Sequence, residues 1–487
     1  MRRVNGMGNY LLFFSVLFLA ACSSSVEAPG TASVTVYEGA RLITGDGGAA
    51  IPAAIEDSAF VVENNQFTLV GQRGAITVPA GAAHVDLTGK TVMPAMVDLH
   101  GHLGFQNVAA GTMSKETYTR ENLIDHLERA AYHGIGAVVG IGDLVSRSDL
   151  HGGMTDWGDV PLRVREEVVP GAALFRTAGP GIAWPGSGPQ GHPSRTDVAY
   201  PVSTIEEARL AVQDTVKIRP EFIKLWVDTR SGTKQTLTPP IYQAIAEEAL
   251  QNNVPVAVHN VTLANAKGLL RAGVTGWLHV PVRQGESPDG ELLAMVKERA
   301  AGNRPLWMTP GLTSAWMTQG GPHPAWLDDP LLTETYSPEQ VQTLWAEPLA
   351  KMSPQQFEDV REEFAHDGRN AMQLREAGIR VVLGTDTGQT RFWIGFYAHT
   401  GLEAMVAMGM TPVEAIVAAT RDSAEIAGFN SGMVEAGKSA DFIVLDANPL
   451  ESISNTRRIN RVYLRGQEVP RATMRAKWQG QFGGASR

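Results

Sequence analysis

Apolar and polar residues alternate one by one near both ends of the 487-residue chain. A period of two is typical of strands with one buried face, and Gly-containing turns separate the segments. Strands of this kind are predicted in 33–47, 59–72, 83–94, 440–450 and 459–470. Because the two groups bracket a middle of different character, we expect one small β-sandwich domain made from 33–94 and 430–487.

The middle of the chain, 95–429, alternates short apolar runs with amphipathic helical stretches. Such repeated βα units are typical of a parallel sheet covered by helices. Eight strands are predicted, at 92–100, 137–143, 173–179, 221–228, 255–260, 276–280, 305–311 and 380–386. This count predicts the α/β class and a (β/α)8 TIM barrel, in which an active site lies at the C-terminal ends of the strands.

Residues 1–21 have the pattern of an export signal. Arg2 and Arg3 precede the apolar run "YLLFFSVLFLAA", which is too short to span a bilayer. Cys22 follows at once, and its surroundings resemble a bacterial lipoprotein lipobox, which implies lipidation of Cys22 and a linker at 22–32. The alternative is an ordinary secretory signal with an incidental cysteine. We expect a protein of the cell envelope, anchored to a membrane by lipid and facing the periplasm or the exterior.

The net charge argues against a nucleic-acid partner, and the cysteine content excludes an intramolecular disulfide. The formal charge is −10, it becomes −12 without Arg2 and Arg3, and the basic residues are scattered among the acids. No basic face for nucleic acid is therefore expected. The single cysteine excludes an intramolecular disulfide. The oligomeric state stays open, a homo-oligomer included.

Ionisable side chains lie at the ends of five predicted strands. His100 and His102 are two positions apart in the first, so both point to the same side of the barrel mouth. Four other strands end in Lys224, His259, His279 and Asp386. Six such groups at one mouth are costly without a cation, and imidazoles suit a metal such as zinc. The pattern predicts a metal site.

Lys224 is the unusual member of this set. It shares a strand face with Phe222 and Trp226, so it points inward. A buried amine has a lowered pKa, and the neutral amine reacts with CO2 to give an anionic carbamate that can bridge two metals. Two divalent cations would be nearly balanced by the carbamate, Asp386 and a bridging hydroxide. The alternative is an unmodified lysine paired with Asp228 or Glu221.

These residues resemble the amidohydrolase superfamily, in particular its imidazolonepropionase-like and prolidase-like members. Besides the strand-end residues, the resemblance lies in "GKTVMPAMVDLHGHL" at 89–103, "LGTDTG" at 383–388, "GMTPVEAIVAATRDSAEIAG" at 409–428 and "GMVEAGKSADFIVLDANPL" at 432–450. It implies a metal-dependent barrel that carries a β-sandwich built from both termini.

The resemblance also implies a role for each ligand. His100, His102 and Asp386 would hold one metal, His259 and His279 the second, and carboxylated Lys224 would bridge the two, with zinc as the expected metal. In such a centre a metal-bridging hydroxide attacks an amide or ester carbonyl. Asp386 would accept the proton of the hydroxide and pass it to the leaving group, which makes it the catalytic acid–base.

Residues near the mouth are candidates for substrate binding. His192 and Arg195 lie in a Gly/Pro-rich loop after the third strand, Arg230 follows the fourth, and Trp226 lies two residues past Lys224. The segment after 311 is longer than an ordinary connection, which favours a lid or pocket wall with Trp316, His323 and Trp326. Prolidase-like members commonly have Tyr or His where this chain has Val261, which argues against dipeptide hydrolysis.

The sequence therefore predicts a metal-dependent hydrolase of an amide-type C–N bond in a small molecule, with an aromatic or N-acyl group. An esterase, lactonase or phosphotriesterase on the same centre is the alternative among enzymes. A non-catalytic envelope binding protein that has kept the barrel is the alternative outside them.

Overall fold

A computed structural model describes residues 34–47, 54–143, 159–191 and 198–482. The predicted export signal, Cys22 and the linker lie outside the described residues. Within the described ranges, no helix has the length and apolar character needed to cross a membrane.

Two sheets drawn from both ends of the chain pack into a β-sandwich. The first has the order β4-β3-β1-β5, with β1 at Thr35–Glu38, β3 at Ser58–Glu63, β4 at Gln66–Gln72 and β5 at Ala83–Asp86. The second has the order β2-β6-β19-β20-β21, with β2 at Arg41–Leu42, β6 at Thr91–Pro94, β19 at Phe442–Leu445, β20 at Ile459–Leu464 and β21 at Gln467–Glu468. Tyr37 and Phe60 of the first sheet contact Phe442 of the second edge-on, with ring centroids 5.2 and 5.3 Å apart. These alternating inward residues form a core of their own.

Eight parallel strands form the barrel. They are β7 (Met96–Gly101), β10 (Ile135–Gly140), β11 (Leu174–Thr177), β14 (Ile223–Val227), β15 (Val256–Asn260), β16 (Gly276–Leu278), β17 (Trp307–Thr309) and β18 (Arg380–Val381). They correspond one to one to the eight predicted strands. Four short strands lie in the loops, β8 (Gln106–Asn107), β9 (Thr112–Met113), β12 (Ile182–Ala183) and β13 (Tyr200–Pro201).

Backbone hydrogen bonds join the two groups of barrel strands at both seams. The Glu221 N–H donates to the Thr177 carbonyl at 3.1 Å, between the third and fourth strands. The Leu99 N–H donates to the Leu383 carbonyl at 2.9 Å, between the first and eighth. The strands therefore form a closed ring, in agreement with the predicted barrel.

Helices cover the ring and carry ordinary start signals. The Thr204–Glu207 and Thr411–Glu414 pairs form capping boxes at two helix N-termini. The helices are α1 (Arg120–Tyr132), α2 (Val160–Arg165), α3 (Ile205–Val216), α4 (Pro239–Gln251), α5 (Leu263–Ala272), α6 (Gly290–Ala300), α7 (Thr313–Gln319), α8 (Pro330–Thr333), α9 (Pro338–Val341), α10 (Glu347–Ala350), α11 (Pro354–Glu376), α12 (Phe396–Ala407), α13 (Pro412–Val417), α14 (Ser423–Ile426) and α15 (Arg471–Phe482). Single 3₁₀ turns occur at Gly188–Gly191, Ala325–Asp328 and Ile453–Arg457, and π turns at Gln342–Ala346 and Ala418–Asp422.

The sandwich is connected rigidly to the first barrel strand. Only Ala95 separates β6 of the sandwich from β7 of the barrel, and its N–H donates to the Asp441 carbonyl at 2.9 Å. The strand that ends in His100 and His102 therefore begins inside the sandwich.

The last helix lies on the barrel. Sequence analysis placed 430–487 in the sandwich domain, but α15 packs against α1. The Trp478 indole N–H donates to Asp125 at 2.8 Å, and its ring meets Tyr132 edge-on. The amphipathic pattern of α15 gave no indication of which domain it covers.

Candidate metal centre

Six ionisable side chains meet at the C-terminal mouth of the barrel. They line one cavity of about 470 Å³ and come from the ends of five strands: His100 from β7, His102 from the residue after it, Lys224 from β14, His259 from β15, His279 from the residue after β16 and Asp386 from the extension of β18. The barrel brings together residues far apart in sequence because its parallel strands all end at the same face. All six side chains of the predicted ligand set line this cavity.

Asp386 lies between the two histidines of the first strand. Its Oδ1 is 2.9 Å from His102 Nε2 and 3.3 Å from His100 Nε2. One ligand atom from each of His100, His279 and Asp386 lies within 4.8 Å of the others. This spacing is close enough for one cation to contact all three.

Hydrogen bonds on the far side of two imidazoles fix their orientation. His259 Nε2 lies 3.1 Å from Asp228 Oδ2, and the ring is 4.8 Å from that of His279. His102 Nδ1 lies 2.5 Å from the Ile141 carbonyl, and Nδ1 carries the proton because a carbonyl oxygen can only accept. Such partners orient metal ligands and raise their basicity.

Lys224 lies fully inside the mouth, with 1% of its surface exposed. Its Nζ is 4.7 Å from the centre of the Trp226 ring, on the same strand face. Of the two acids considered as its alternative partners, Asp228 pairs with His259 and Arg230, and Glu221 pairs with Arg176 at 3.1 Å.

Two of the candidate ligands have unusual backbone conformations. Asp386 has φ +58° and His279 has φ +110°, a region that residues other than glycine rarely adopt. Each is held by a strand-to-strand bond, from the Asp386 N–H to the His100 carbonyl at 2.7 Å and from the His279 N–H to the Thr309 carbonyl at 2.9 Å. Strain of this kind clusters at functional sites, where the surrounding structure maintains it.

A buried carboxylate beneath the mouth joins the first strand to the eighth. Asp98 accepts hydrogen bonds from the His100 and Thr385 backbone N–H groups, each at 3.0 Å, and from the Thr385 hydroxyl at 2.5 Å. Burial is the main cause that raises its pKa to about 6. The network fixes the backbone on which His100 and Asp386 lie. Sequence analysis missed this role, although Asp98 shares the strand face of the two histidines.

Burial sets the protonation states of the candidate ligands. It lowers the pKa of His100 and His279 well below the usual range and that of His259 to about 4. Burial opposes ionisation of Asp386, but His100 and His102 outweigh it and hold the pKa of that carboxyl well below its usual value. Neutral imidazoles and an ionised carboxylate are the forms that bind metal.

Comparison with known proteins gives two likenesses in sequence. Residues 348–469 match the Amidohydrolase family. Ochratoxinase of Aspergillus niger is 24% identical over 466 residues, which cover 88% of this chain and 84% of that protein. These likenesses support the amidohydrolase superfamily.

Solved structures with the same fold extend over nearly the whole chain. A Xaa-Pro dipeptidase with bound methionine in its active site aligns with a TM-score of 0.65 at 20% identity, over 90% of this chain and 99% of that one. Molinate hydrolase aligns with a TM-score of 0.64 at 18% identity, over 91% and 95%. This chain therefore shares its fold with both solved structures.

The predicted substrate-binding residues have different outcomes. Trp226 and Arg230 line the cavity, with Arg230 half exposed and 3.4 Å from Asp228. His192 and Arg195 lie outside the described residues. Val261, where prolidase-like members of the superfamily differ, is buried.

The long segment after the seventh strand forms a helical layer whose aromatic residues point elsewhere. The Trp326 indole donates to the Met317 carbonyl at 3.0 Å inside this layer, and the Trp316 ring packs on Phe364. His323 is exposed and faces Asp328 at 2.9 Å. None of the three predicted residues lines a described cavity at the mouth. The two tryptophans pack within the helical layer and not at the cavity. Their position therefore does not support the prediction that they line the pocket.

Cavity residues that sequence analysis did not single out are apolar or amide side chains in loops. Met113, Gln389 and Phe392 line the cavity beside the six ionisable residues. The Gln389 side chain lies 3.3 Å from Asp386 Oδ1. Because loop conformation decides their direction, the strand pattern carried no signal for them.

Proposed function

We propose that this chain is a binuclear metal-dependent amidohydrolase that cleaves an amide-type C–N bond in a small molecule. The observation that carries the proposal is the convergence of two strand-one histidines, Lys224, His259, His279 and Asp386 on one cavity. Ochratoxinase, molinate hydrolase and phenylurea hydrolase B, all similar to this chain, carry names that agree with such a reaction.

The residues present fit a pair of divalent cations. The Nδ1 atoms of His100 and His279 are buried and have no hydrogen-bond partner among the described residues. Neither ring is therefore used at this atom to hold a described protein group, which is compatible with a role in metal binding. His100, His102 and Asp386 would hold one ion, and His259 and His279 the second. Lys224, as its carbamate, would bridge them. Borderline nitrogen donors with carboxylate oxygens favour zinc.

The metal ions, when bound, supply Lewis acidity that lowers the pKa of water and polarises a carbonyl. The chain supplies orientation and proton transfer. Ionised Asp386 would accept a proton at its carboxylate and return it to the departing amine nitrogen. Trp226, Phe392 and Met113 form an apolar part of the cavity wall, which would favour an aromatic or acyl group.

We also propose that the protein is exported and lipid-anchored through Cys22. The support is the sequence of 1–22 alone, in which two arginines, an apolar run and a cysteine follow in order. The barrel mouth would then act on small molecules in the cell envelope.

Turnover of matched amides and esters by zinc-reconstituted protein tests the proposal. We expect hydrolysis of N-acyl aromatic substrates that a chelator abolishes and zinc restores. Lys224→Ala should reduce kcat/KM by at least ~10³-fold, whereas Lys234→Ala, an exposed lysine in the following loop, should not. Faster turnover of the ester series with none of the amides would favour the esterase alternative. Binding without turnover, unaffected by chelator, would contradict the enzyme.

A further inference from the structure

A second cavity lies at the floor of the barrel, the face opposite the metal centre. It has a volume of about 390 Å³, and its lining includes a residue from the beginning of each of five consecutive strands, β14 to β18. None of the described residues lines both this cavity and the metal cavity. We call it the floor cavity. Because parallel strands begin at one face and end at the other, a ligand held here does not compete with one at the metal centre.

Two buried aromatic side chains line the floor cavity. Phe222 precedes β14 and Trp307 begins β17, and their ring centroids are 5.6 Å apart with the ring planes inclined by 57°. Both belong to the apolar cluster inside the barrel. Pro255, Pro305 and Ile426 add further apolar surface to the wall. Such a wall suits an aromatic ring better than a strongly hydrated inorganic ion.

The charged residues of the floor cavity do not balance. Arg380 pairs with Glu425 at 2.9 Å, and both side chains are half exposed. Arg304 donates instead to the neutral amide oxygen of Asn253 at 2.9 Å. The lining therefore carries one positive charge in excess, at the exposed Arg304.

A buried hydroxyl adds hydrogen-bonding capacity to the same wall. Thr275 begins the fifth of the contributing chain segments in space, next to Trp307, whose backbone N–H donates to the Thr275 carbonyl at 2.9 Å. Its Oγ1 has no hydrogen-bond partner among the described residues. Buried polar groups are normally paired, so a donor of this kind is favourable beside an anionic ligand.

We propose that the floor cavity binds a small aromatic carboxylate of one or two rings. The ring packs against Phe222 and Trp307, and the carboxylate lies beside Arg304 at the outer rim. A planar guanidinium matches a carboxylate in geometry, which favours this anion. The cavity volume lies within the usual range of small-molecule sites. The inference does not rest on the proposed function, because it uses none of the candidate metal ligands.

Titration of the zinc-reconstituted full chain with indole-3-acetate, followed by ligand-observed NMR, tests the inference. Acetohydroxamate, which binds metal ions, is present at saturation so that the carboxylate is kept from the metal centre. A two-ring ligand of this size is expected to bind with a Kd of about 1 mM or tighter. Indole-3-ethanol, the neutral analogue, should bind about 5-fold more weakly, because it loses the interaction with the exposed Arg304.

Variants of the wall locate the site. Arg304→Met should weaken binding of indole-3-acetate by about 5-fold and leave that of indole-3-ethanol unchanged, and Arg304→Lys should restore part of the loss. Thr275→Val, which removes the hydroxyl at nearly constant shape, should weaken binding of the acid by about 3-fold. Arg369→Met removes an exposed arginine of α11 as the matched control and should change neither Kd.

A variant that fills the floor cavity gives an independent test. Ile426 is half-buried in its wall, and Ile426→Phe should weaken binding of both ligands by at least ~10-fold. Its Tm shows whether the variant folds. If it does not fold, the Arg304 variants at the surface decide the question.

The outcomes for the floor cavity and for the reaction are separate. Absence of binding, or a Kd for indole-3-acetate that is unchanged in both Arg304→Met and Thr275→Val, would overturn the inference and leave the proposed function intact. Binding that persists in a folded Ile426→Phe would overturn it as well. Binding that depends on Arg304 in a protein without hydrolase activity would support the floor cavity and count against the proposed reaction.

Discussion

At the scale of single residues, the candidate ligands depend on partners that never face the cavity. Asp98 connects the backbone of His100 to Thr385, the residue before Asp386. The Asp228 carboxylate lies at hydrogen-bond distance from the His259 ring and holds its orientation. These carboxylates hold the donors in position, and partners of this type commonly contribute 10- to 100-fold to metal affinity by the general behaviour of metal sites.

Asp98→Asn is expected to weaken zinc binding by roughly 10- to 100-fold, because the NH2 group that replaces Oδ2 cannot accept the hydrogen bond from the Thr385 hydroxyl. Thr385→Val removes only that bond and should have a smaller effect. Chelator competition measures both affinities, with Asp359→Asn on the exposed side of α11 as the control. Unchanged affinity in Asp98→Asn would show that the network does not position the ligands.

His126 makes stability depend on pH through the loop after the first strand. Its Nδ1 accepts the Gly104 N–H at 3.0 Å, and Nε2 donates to the Gln106 carbonyl at 2.8 Å. Burial is the main cause that lowers its pKa to about 4. Below pH 6.5 the unfolded chain therefore binds a proton that the folded protein does not.

We accordingly expect the His126 contribution to be complete above pH 6.5 and to be lost between pH 6.5 and about 4, at up to about 1.4 kcal/mol per pH unit. Denaturant unfolding at each pH, with His126→Gln for comparison, measures it. The variant should be less stable at pH 7 and lose less on acidification. An equal loss of unfolding free energy in the parent and in His126→Gln between pH 6.5 and about 4 would contradict the role of His126.

At the scale of elements, the barrel strands could be predicted from the sequence, whereas the packing of the long segments between them could not. The eight barrel strands are short apolar runs closed by glycine or an ionisable residue, and each was predicted near its observed position. The polar residues at their ends were predicted to meet at one mouth of the barrel, because parallel strands all end at the same face. Side chains such as Trp316 and Trp326 were misplaced, since an aromatic residue in a long segment packs equally well into that segment's own core.

Three glycines in the loops after the second and third barrel strands pack against Trp226, and one of them offers a sharp test. A Cβ on Gly181, where φ is +70°, would overlap the Trp226 ring and lie 2.9 Å from Lys224 Cγ. A Cβ on Gly186, in the same loop with φ +73°, would meet no atom within 4 Å among the described residues. The two positions share backbone strain and differ only in the clash.

Gly186→Ala is therefore expected to cost about 1 kcal/mol of unfolding free energy, the usual penalty of left-handed backbone. Gly181→Ala should cost about 2 kcal/mol more and lower zinc occupancy, because Trp226 must displace Lys224. Chemical denaturation and metal analysis of the two variants measure the difference. Equal costs would mean that Trp226 moves freely.

At the scale of the whole molecule, the sandwich and the barrel act as one unit at the metal centre. The strand that supplies His100 and His102 starts as a sandwich strand, with one residue between the two. Sequence periodicity indicated both domains, but it could not show that the barrel has a cavity at its floor or that α15 lies on the barrel. Those features depend on helix packing, which local patterns do not encode.

The proposed anchor predicts where the molecule is found. Cys22→Ala should move the protein from the membrane fraction to the soluble fraction, because a lipidated cysteine is replaced by a residue that cannot be acylated. Its kcat/KM should stay within ~2-fold of the parent, since the barrel is unchanged. Fractionation with metabolic labelling by palmitate checks both. Incorporation of label into Cys22→Ala would contradict lipidation at this residue.

The central claim is that the six strand-end side chains hold two metal ions with Lys224 as the bridge. The most direct measurement is the zinc content of protein reconstituted in the presence and absence of bicarbonate, in the parent and in Lys224→Gln. The account predicts close to two zinc ions per chain for the parent with bicarbonate, and a loss of stoichiometry both without bicarbonate and in the variant. Two zinc ions retained by Lys224→Gln would contradict it.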